Sequence, residues 1–178
     1  MDSFNFYKTQ ILIAALFFFS VAILFSFSGC GAYSFTGASI PAGAETVSIQ
    51  YFPNKASLVE PTLSPIFTEA LREKFTRQTN LIMVERNGDM AMEGEIVEYK
   101  TTPVAIQGDQ TAALNRLTIT VNVRFYNKLE PNKDFDQKFS QFREYPSTTD
   151  LNAVQGGLIL EITELLTDDI FNKAVINW

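Results

Sequence analysis

The sequence predicts an α/β (α+β) two-layer sandwich: a mixed β-sheet of about four to five strands with two amphipathic helices on one face, in the order β-α-β-β-β-β-α. Three observations carry this expectation. Leu63, Ile66, Phe67, Ala70, Leu71 and Phe75 recur at helical spacing, with Glu69, Arg72, Glu73 and Arg77 on the other face. Leu158, Ile159, Ile162, Leu165, Leu166 and Ile170 form a second stripe near the C-terminus. Between them Leu117, Ile119, Val121, Val123 and Phe125 alternate with Thr118, Thr120, Asn122 and Arg124, the pattern of a half-buried strand.

The remaining elements follow in order. Val47–Phe52 alternates as a first strand and stops at Pro53-Asn54. Ser64-Pro65 reads as an N-cap followed by proline at the first helical position, and the helix ends near Thr79-Asn80. Leu81–Val84 is a short apolar run of the fully buried kind, expected to lie parallel to the first strand. Asn87-Gly88 signals a turn, and Met90–Tyr99 a further strand containing Gly94. Thr101–Leu114, with Pro103, Gly108 and Asp109, reads as a loop. Pro131-Asn132 turns the chain into an aromatic strand, Phe135–Tyr145, whose Phe139-to-Phe142 spacing suggests a bulge. Asp150 caps the last helix, whose start Gly156-Gly157 weakens.

Composition narrows the function. The chain has 178 residues, 14 basic against 20 acidic side chains, a net charge of −6, one cysteine and no histidine. That charge argues against nucleic acid, whose phosphates require clustered Lys and Arg. The lack of histidine removes the commonest general base near neutral pH, the commonest metal ligand, and the Ser-His and Cys-His nucleophile pairs. The expectation is a protein that is not an enzyme and carries no metal or cofactor.

The N-terminus sets the address. A weakly positive start containing Lys8 precedes the apolar run Ile11–Phe27, and Ser28-Gly29 stands directly before Cys30. A short positive start, an apolar stretch and small residues before a break read as a signal peptide over residues 1–29. An uncleaved transmembrane anchor is the competing reading, because roughly 17–25 apolar residues span a bilayer. No basic stop-transfer cluster follows, which favours cleavage. The ending resembles the lipobox of bacterial lipoproteins, with Phe27 where leucine is commonest, and this resemblance implies lipidation at Cys30 (a palmitate-type acyl anchor). Each buried methylene contributes about 0.8 kcal/mol, so several acyl chains on Cys30 would hold the protein to a membrane. Gly31 replaces the aspartate that retains enterobacterial lipoproteins at the inner membrane, which points to the outer membrane. Residues 30–46, rich in Gly, Ala and Ser, read as a flexible tether, and 47–178 as a single domain.

Among charged groups, Asp168-Asp169 with Glu161 and Glu164 form an acidic cluster in which Glu161, Glu164 and Asp168 share a face of the last helix, and it reads as a solvated face. Met83, Met90 and Met92 read as core filling rather than a soft-metal site. The basic residues Arg116, Arg124 and Lys128 lie on or beside one strand, where Arg124 is expected to face outward. They form a candidate cationic surface for an anionic partner such as a lipid phosphate.

The run GCGAYSF (29–35), the strand TVSIQYFPN (46–54), the helix SPIFTEALREKFTRQTNL (64–81) and the returning strand with EGEIVEY (93–99) together resemble the lipopolysaccharide-assembly lipoproteins, the LptE family, in its Bacteroidetes-like form. The resemblance covers Cys30–Trp178. It implies a lipid-anchored, periplasm-facing module of the outer membrane that sits inside the β-barrel of the LPS translocon. Such a module helps that barrel assemble and binds lipopolysaccharide, and Arg116, Arg124 and Lys128 are the expected LPS contacts. The alternative is a lipoprotein of the curli-secretion or penicillin-binding-protein-activator type, which shares the strand-helix-strand start and acts as an assembly or activator module. Copurification of a translocon barrel separates the first from the second. Mass spectrometry of the membrane-resident protein should find no peptide upstream of Cys30 and an acylated peptide beginning there; an intact Met1–Gly29 segment would show the anchor reading instead.

Overall fold

The computed structural model describes residues 40–104 and 113–175. Within them the chain runs β1 (Thr46–Ile49), α1 (Leu63–Gln78), β2 (Ile82–Met83), β3 (Met90–Val104), β4 (Leu114–Asn127), β5 (Phe135–Pro146) and α2 (Leu151–Val175), with a 3₁₀ turn at Pro131–Lys133 before β5. The five strands form one sheet in the order β2-β1-β3-β4-β5. β1 is parallel to both neighbours, while β3, β4 and β5 are antiparallel, so the sheet is mixed as expected. The signal segment, Cys30, Gly108 and Asp109 lie outside the described residues. Of the stretch expected as tether, Ile40 and Ala44 rest against the core and Thr46 opens β1.

One face of the sheet is dry. Val47, Ile49, Met90, Met92, Ile96, Leu117, Ile119, Val121, Val123 and Phe125 are buried on it. The helices cover that face with Leu63, Phe67, Leu71 and Phe75 of α1 and Ile159, Ile162, Leu166 and Ile170 of α2. Each such side chain contributes about 1.5–3 kcal/mol of burial. Phe75 meets Phe171 edge-on at 5.0 Å and joins the helices to each other. Phe52 likewise meets Phe67 at 5.2 Å, and its N–H donates to the buried Thr68 Oγ1 (3.1 Å), fixing α1 to the chain leaving β1.

Phe52 fits because residue 94 has no side chain. A Cβ built there would stand 2.0 Å from the Asn122 carbonyl oxygen and 2.6 Å from the Phe52 ring. A little further on, the β3–β4 register shifts between Ile96 and Glu98. This bulge returns Tyr99 to the buried side and gives its hydroxyl a partner in Gln155 Oε1 (3.3 Å).

Several sequence expectations are corrected. The bulge lies in β3, whereas β4 and β5 pair without a shift; Phe139 is buried and Phe142 exposed because three residues separate opposite faces of a regular strand. Ile82 is 65% exposed and Met83 half-buried, so β2 is a two-residue edge strand rather than a buried one. Helix α1 begins at Leu63 after Thr62, which makes no side-chain cap. Ser64 is buried inside the helix, and Pro65 sits at its third position rather than its first, still within the first turn, where its missing N–H costs nothing. Both ends of the expected loop Thr101–Leu114 are ladder, with Thr101↔Leu117 and Val104↔Leu114 paired. Asp150 does cap α2, accepting the Asn152 N–H at 2.8 Å.

Between β2 and β3 the chain passes from one side of β1 to the other in six residues, since Met83 and Met90 both pair with Val47. The segment 84–89 crosses the outer face over Ser48, which is thereby buried. Val84 N–H bonds the Val47 carbonyl (2.9 Å) and Gly88 N–H the Ser48 hydroxyl (3.2 Å). Asn87 takes φ 57°. Gly88 is required, because a Cβ there would meet Ser48 N at 2.6 Å. Asp89 fastens the end of the crossing: its Oδ2 accepts the Thr46 hydroxyl (2.7 Å) and the Thr46 and Glu45 N–H groups (3.0 and 3.1 Å).

Gly94→Ala should destabilise the domain by about 1–3 kcal/mol, because the added methyl meets a backbone oxygen that cannot turn aside. A denaturant midpoint unchanged from the parent would show that Phe52 and β4 yield freely. Asp89 has its pKa held below the ordinary 3.8, first by the Thr46 hydroxyl and then by the two N–H groups. Its contribution is therefore complete above the ordinary carboxylate range and lost as pH falls through the lowered value. Asp89→Asn should melt earlier than the parent at pH 7, with the gap closing in strong acid; a gap independent of pH would assign the effect to packing.

Candidate functional site

Opposite the dry face, the long strands present rungs of polar side chains. Register places Glu93, Arg124 and Asp136 on one rung and Thr102, Arg116 and Glu144 on another. Arg124, which faces outward as expected, donates from Nε to Glu93 Oε1 at 3.0 Å. The bond to Glu93 raises the Arg124 pKa further. Arg116 pairs with Glu144 (2.6 Å) and lies 4.0 Å above the Phe142 ring. Both guanidinium groups are thus already neutralised by carboxylates. They also stand eight residues apart on β4, roughly 26 Å at strand rise, so they do not form one patch.

Lys128 differs. It follows β4 at the end where the 84–89 crossing lies, and Nζ donates to the Asn87 carbonyl at 2.6 Å. Among the described residues no carboxylate lies within ion-pair distance of it. Beside it is a depression of about 440 Å³ bounded by Ser48, Gln50, Arg86, Glu93, Tyr126 and Lys128. Gln50 closes one side by donating to the Glu85 carbonyl (2.9 Å), and the Tyr126 hydroxyl reaches Glu93 Oε1 at 3.4 Å. Arg86 is exposed and also lacks an ion-pair partner among the described residues. Two cations without ion pairs and a phenol, with the Arg124-bonded Glu93 carboxylate at the rim, leave this shallow concavity net positive and suited to an anion with an adjoining flat or apolar surface.

In sequence, Lys128 groups with the two β4 arginines and Arg86 stands apart from them. The signal for Arg86 was its place beside Asn87-Gly88, a turn that the fold carries across β1 to meet Lys128. The acidic side of α2 also has more structure than a solvated face. Asp168 pairs with Lys74, Glu161 with Arg143 (2.8 Å), and Asp169 accepts from Gln141 (2.6 Å), so these groups tie α2 to α1 and β5. Met90 and Met92 are fully buried, as core filling requires. Among the described residues no group of three or more Cys, Asp or Glu is placed to hold a metal ion. Among them, too, no helix is long and apolar enough to cross a membrane.

No curated protein matches the chain in sequence. Among solved structures it is similar to a minor lipoprotein from Acinetobacter baumannii (15% identical, covering 69% of this chain and 91% of that one, TM-score 0.46). It is also similar to the rare lipoprotein B from Shewanella oneidensis (14%, 72% and 90%, TM-score 0.42) and to the PelC dodecamer from Paraburkholderia phytofirmans (12%, 72% and 93%, TM-score 0.40). Likeness at these identities and scores carries no argument about function. The family comparison does: the model described as LptE, lipopolysaccharide-assembly, matches residues 44–174, from just before β1 into the last turn of α2, and the chain therefore belongs to the LptE lipopolysaccharide-assembly family.

Proposed function

We propose that the protein is a non-enzymatic lipoprotein of the outer membrane, anchored through acylated Cys30 and facing the periplasm. In this reading it supports assembly of the LPS-translocon β-barrel, sits within that barrel, and binds lipopolysaccharide during its insertion. The observation that carries the reading is the family match over residues 44–174. The lipobox-like Ser28-Gly29-Cys30 supports the anchor, and the rungs of paired charge on the outer sheet face suit a polar barrel interior.

For lipopolysaccharide the phosphates supply the charge. Lys128 and Arg86 are the side chains best placed to receive one, since neither has to release a carboxylate first. Arg116 and Arg124 remain in the proposal as weaker contributors that exchange Glu144 or Glu93 for a lipid phosphate. A hydrogen bond to a charged group contributes on the order of 1.5–3 kcal/mol, or roughly tenfold in affinity and more.

The test is LPS binding by the detergent-solubilised protein at low salt. Lys128→Ser with Arg86→Ser should weaken binding at least about tenfold. Arg116→Ser with Arg124→Ser should weaken it less, and salt should weaken binding by the parent because exposed charges are screened within ~10 Å near 0.1 M. Copurification of the barrel should survive both pairs of changes. An unchanged affinity in all variants would remove the sheet's outer face from LPS binding, and loss of barrel without loss of LPS would assign these residues to the barrel contact.

A further inference from the structure

The polar face carries a second depression, of about 400 Å³, bounded by Ser57, Val97, Glu98, Lys100, Thr120 and Lys138. The loop after β1 and the three long strands all contribute to it. That loop is fastened to β3 at this level: Ile96 N–H bonds the Pro53 carbonyl (3.0 Å), and Lys55 N–H bonds the Ile96 carbonyl (2.8 Å). The β3 bulge falls at the same point. It leaves Val97 unpaired between Ile96 and Glu98, so Val97 and Glu98 both border the depression although they are neighbours in sequence.

Its charges are arranged unlike those of the rungs. Arg116 and Arg124 each hold a carboxylate, whereas the exposed Lys100 and Lys138 have no ion pair among the described residues. Glu98 borders the same depression yet is held by hydroxyls instead. Thr120 donates to Glu98 Oε2 at 2.9 Å and lies 2.9 Å from the Ser140 hydroxyl. A threonine hydroxyl has one proton, so Ser140 is the donor in the second bond. The relay from Ser140 through Thr120 thus keeps the carboxylate against the sheet. Among the described residues no group donates to Glu98 Oε1. Glu95 shares a rung with Lys138, but Asn122 stands between them and no ion pair forms.

We infer that this depression binds an anionic sugar, whose phosphate or carboxylate meets Lys100 and Lys138 while a neighbouring sugar hydroxyl donates to Glu98 Oε1. A bare anion would use the lysines and be repelled by Glu98. A neutral polyol would use Glu98 and leave the lysines idle. A sugar that carries a charge uses both, and Val97 offers its ring an apolar contact. The site is separate from the depression at the crossing. Lys138 pairs with Asn122, six residues before Lys128 on the same strand, which places the two sites roughly 20 Å apart at strand rise. One extended glycolipid can therefore reach both, its head group at the crossing and its saccharide at the bulge. For the source of the sugar the inference rests on the lipopolysaccharide reading; for the site it rests on this geometry.

The test is calorimetry on the full chain in mild detergent at low salt. Its probes are intact lipopolysaccharide, the oligosaccharide that mild acid cleaves from the lipid, and inorganic phosphate. The parent should bind the oligosaccharide, and Lys100→Ser with Lys138→Ser should weaken that binding at least about tenfold. Lys128→Ser with Arg86→Ser should leave it unchanged. Glu98→Met should also weaken it, whereas attraction by the lysines alone would grow on losing a negative neighbour. Glu98→Gln keeps an acceptor for both Thr120 and the sugar, so it should bind better than Glu98→Met. Oligosaccharide stripped of phosphate identifies the anion: retained binding supports a sugar acid, lost binding a sugar phosphate. Unchanged affinity in the lysine pair, tighter binding by Glu98→Met, or inorganic phosphate bound as well as the oligosaccharide would overturn the inference. A parent that binds lipopolysaccharide but not the oligosaccharide would overturn it too, and would leave the lipopolysaccharide reading standing. Oligosaccharide bound without lipopolysaccharide would support the site and count against that reading.

Discussion

The six-residue crossing over β1 is the constraint on which the rest of the sheet depends. Parallel strands are usually joined by a dozen residues or more, because the chain must return to its starting level. Here β2 contains only two residues, so the return is short, and 84–89 can lie flat on the polar side of β1. This arrangement needs a residue without Cβ over Ser48, a left-handed turn before it, and a fastening after it. Gly88, Asn87 and Asp89 supply these three in succession. Without the crossing β1 could not lie between β2 and β3, and Phe52 would not reach its seat on Gly94. The candidate anion site is a consequence of the same geometry, since the Asn87 carbonyl that the turn exposes is what holds Lys128.

Much of this was legible from residue patterns, and the failures have physical causes. The order of elements, the dry stripe of β4, the cap at Asp150 and the two helical faces each rest on local periodicity or a local hydrogen bond. Strand order was not legible, because nothing within Leu81–Val84 distinguishes an edge from a centre; only the neighbours that the topology supplies decide it. In sequence, Phe139 and Phe142 of β5 look like a break in alternation because they stand three residues apart. The true break, Ile96 to Tyr99, is of the same length, and which of the two is a bulge depends on register with β4. The ends of the expected loop became ladder for the same reason: Pro103 and Thr102 look loop-like alone, yet find partners in Asn115 and Arg116.

The site was half legible. Lys128 could be singled out by sign and position, but its separation from Arg116 and Arg124 could not. In each arginine's case the neutralising carboxylate comes from an adjacent strand, 28 positions later for Glu144 and 31 earlier for Glu93. A count of basic residues along one strand therefore overstates the charge that the folded surface presents.

This distinction bears on how a polar sheet face can meet another macromolecule. A lone charge carried into an interface loses water and gains nothing unless a partner charge awaits it. A charge already bonded across strands brings its partner along, so the paired rungs of β3, β4 and β5 can be covered with little change in their own electrostatics. Where a cation lacks such a partner, the surface has an unfilled preference for an anion. On this face those positions are Lys128 with Arg86 beside the crossing, and Lys100 and Lys138 beside a second, smaller depression that Glu98 and Thr120 also bound. Lys128 and Arg86 lie at a concavity, a shape that suits a detached anion such as a phosphate. The fold thus separates cations already paired across strands, Arg116 and Arg124, from those left unpaired beside the crossing over β1.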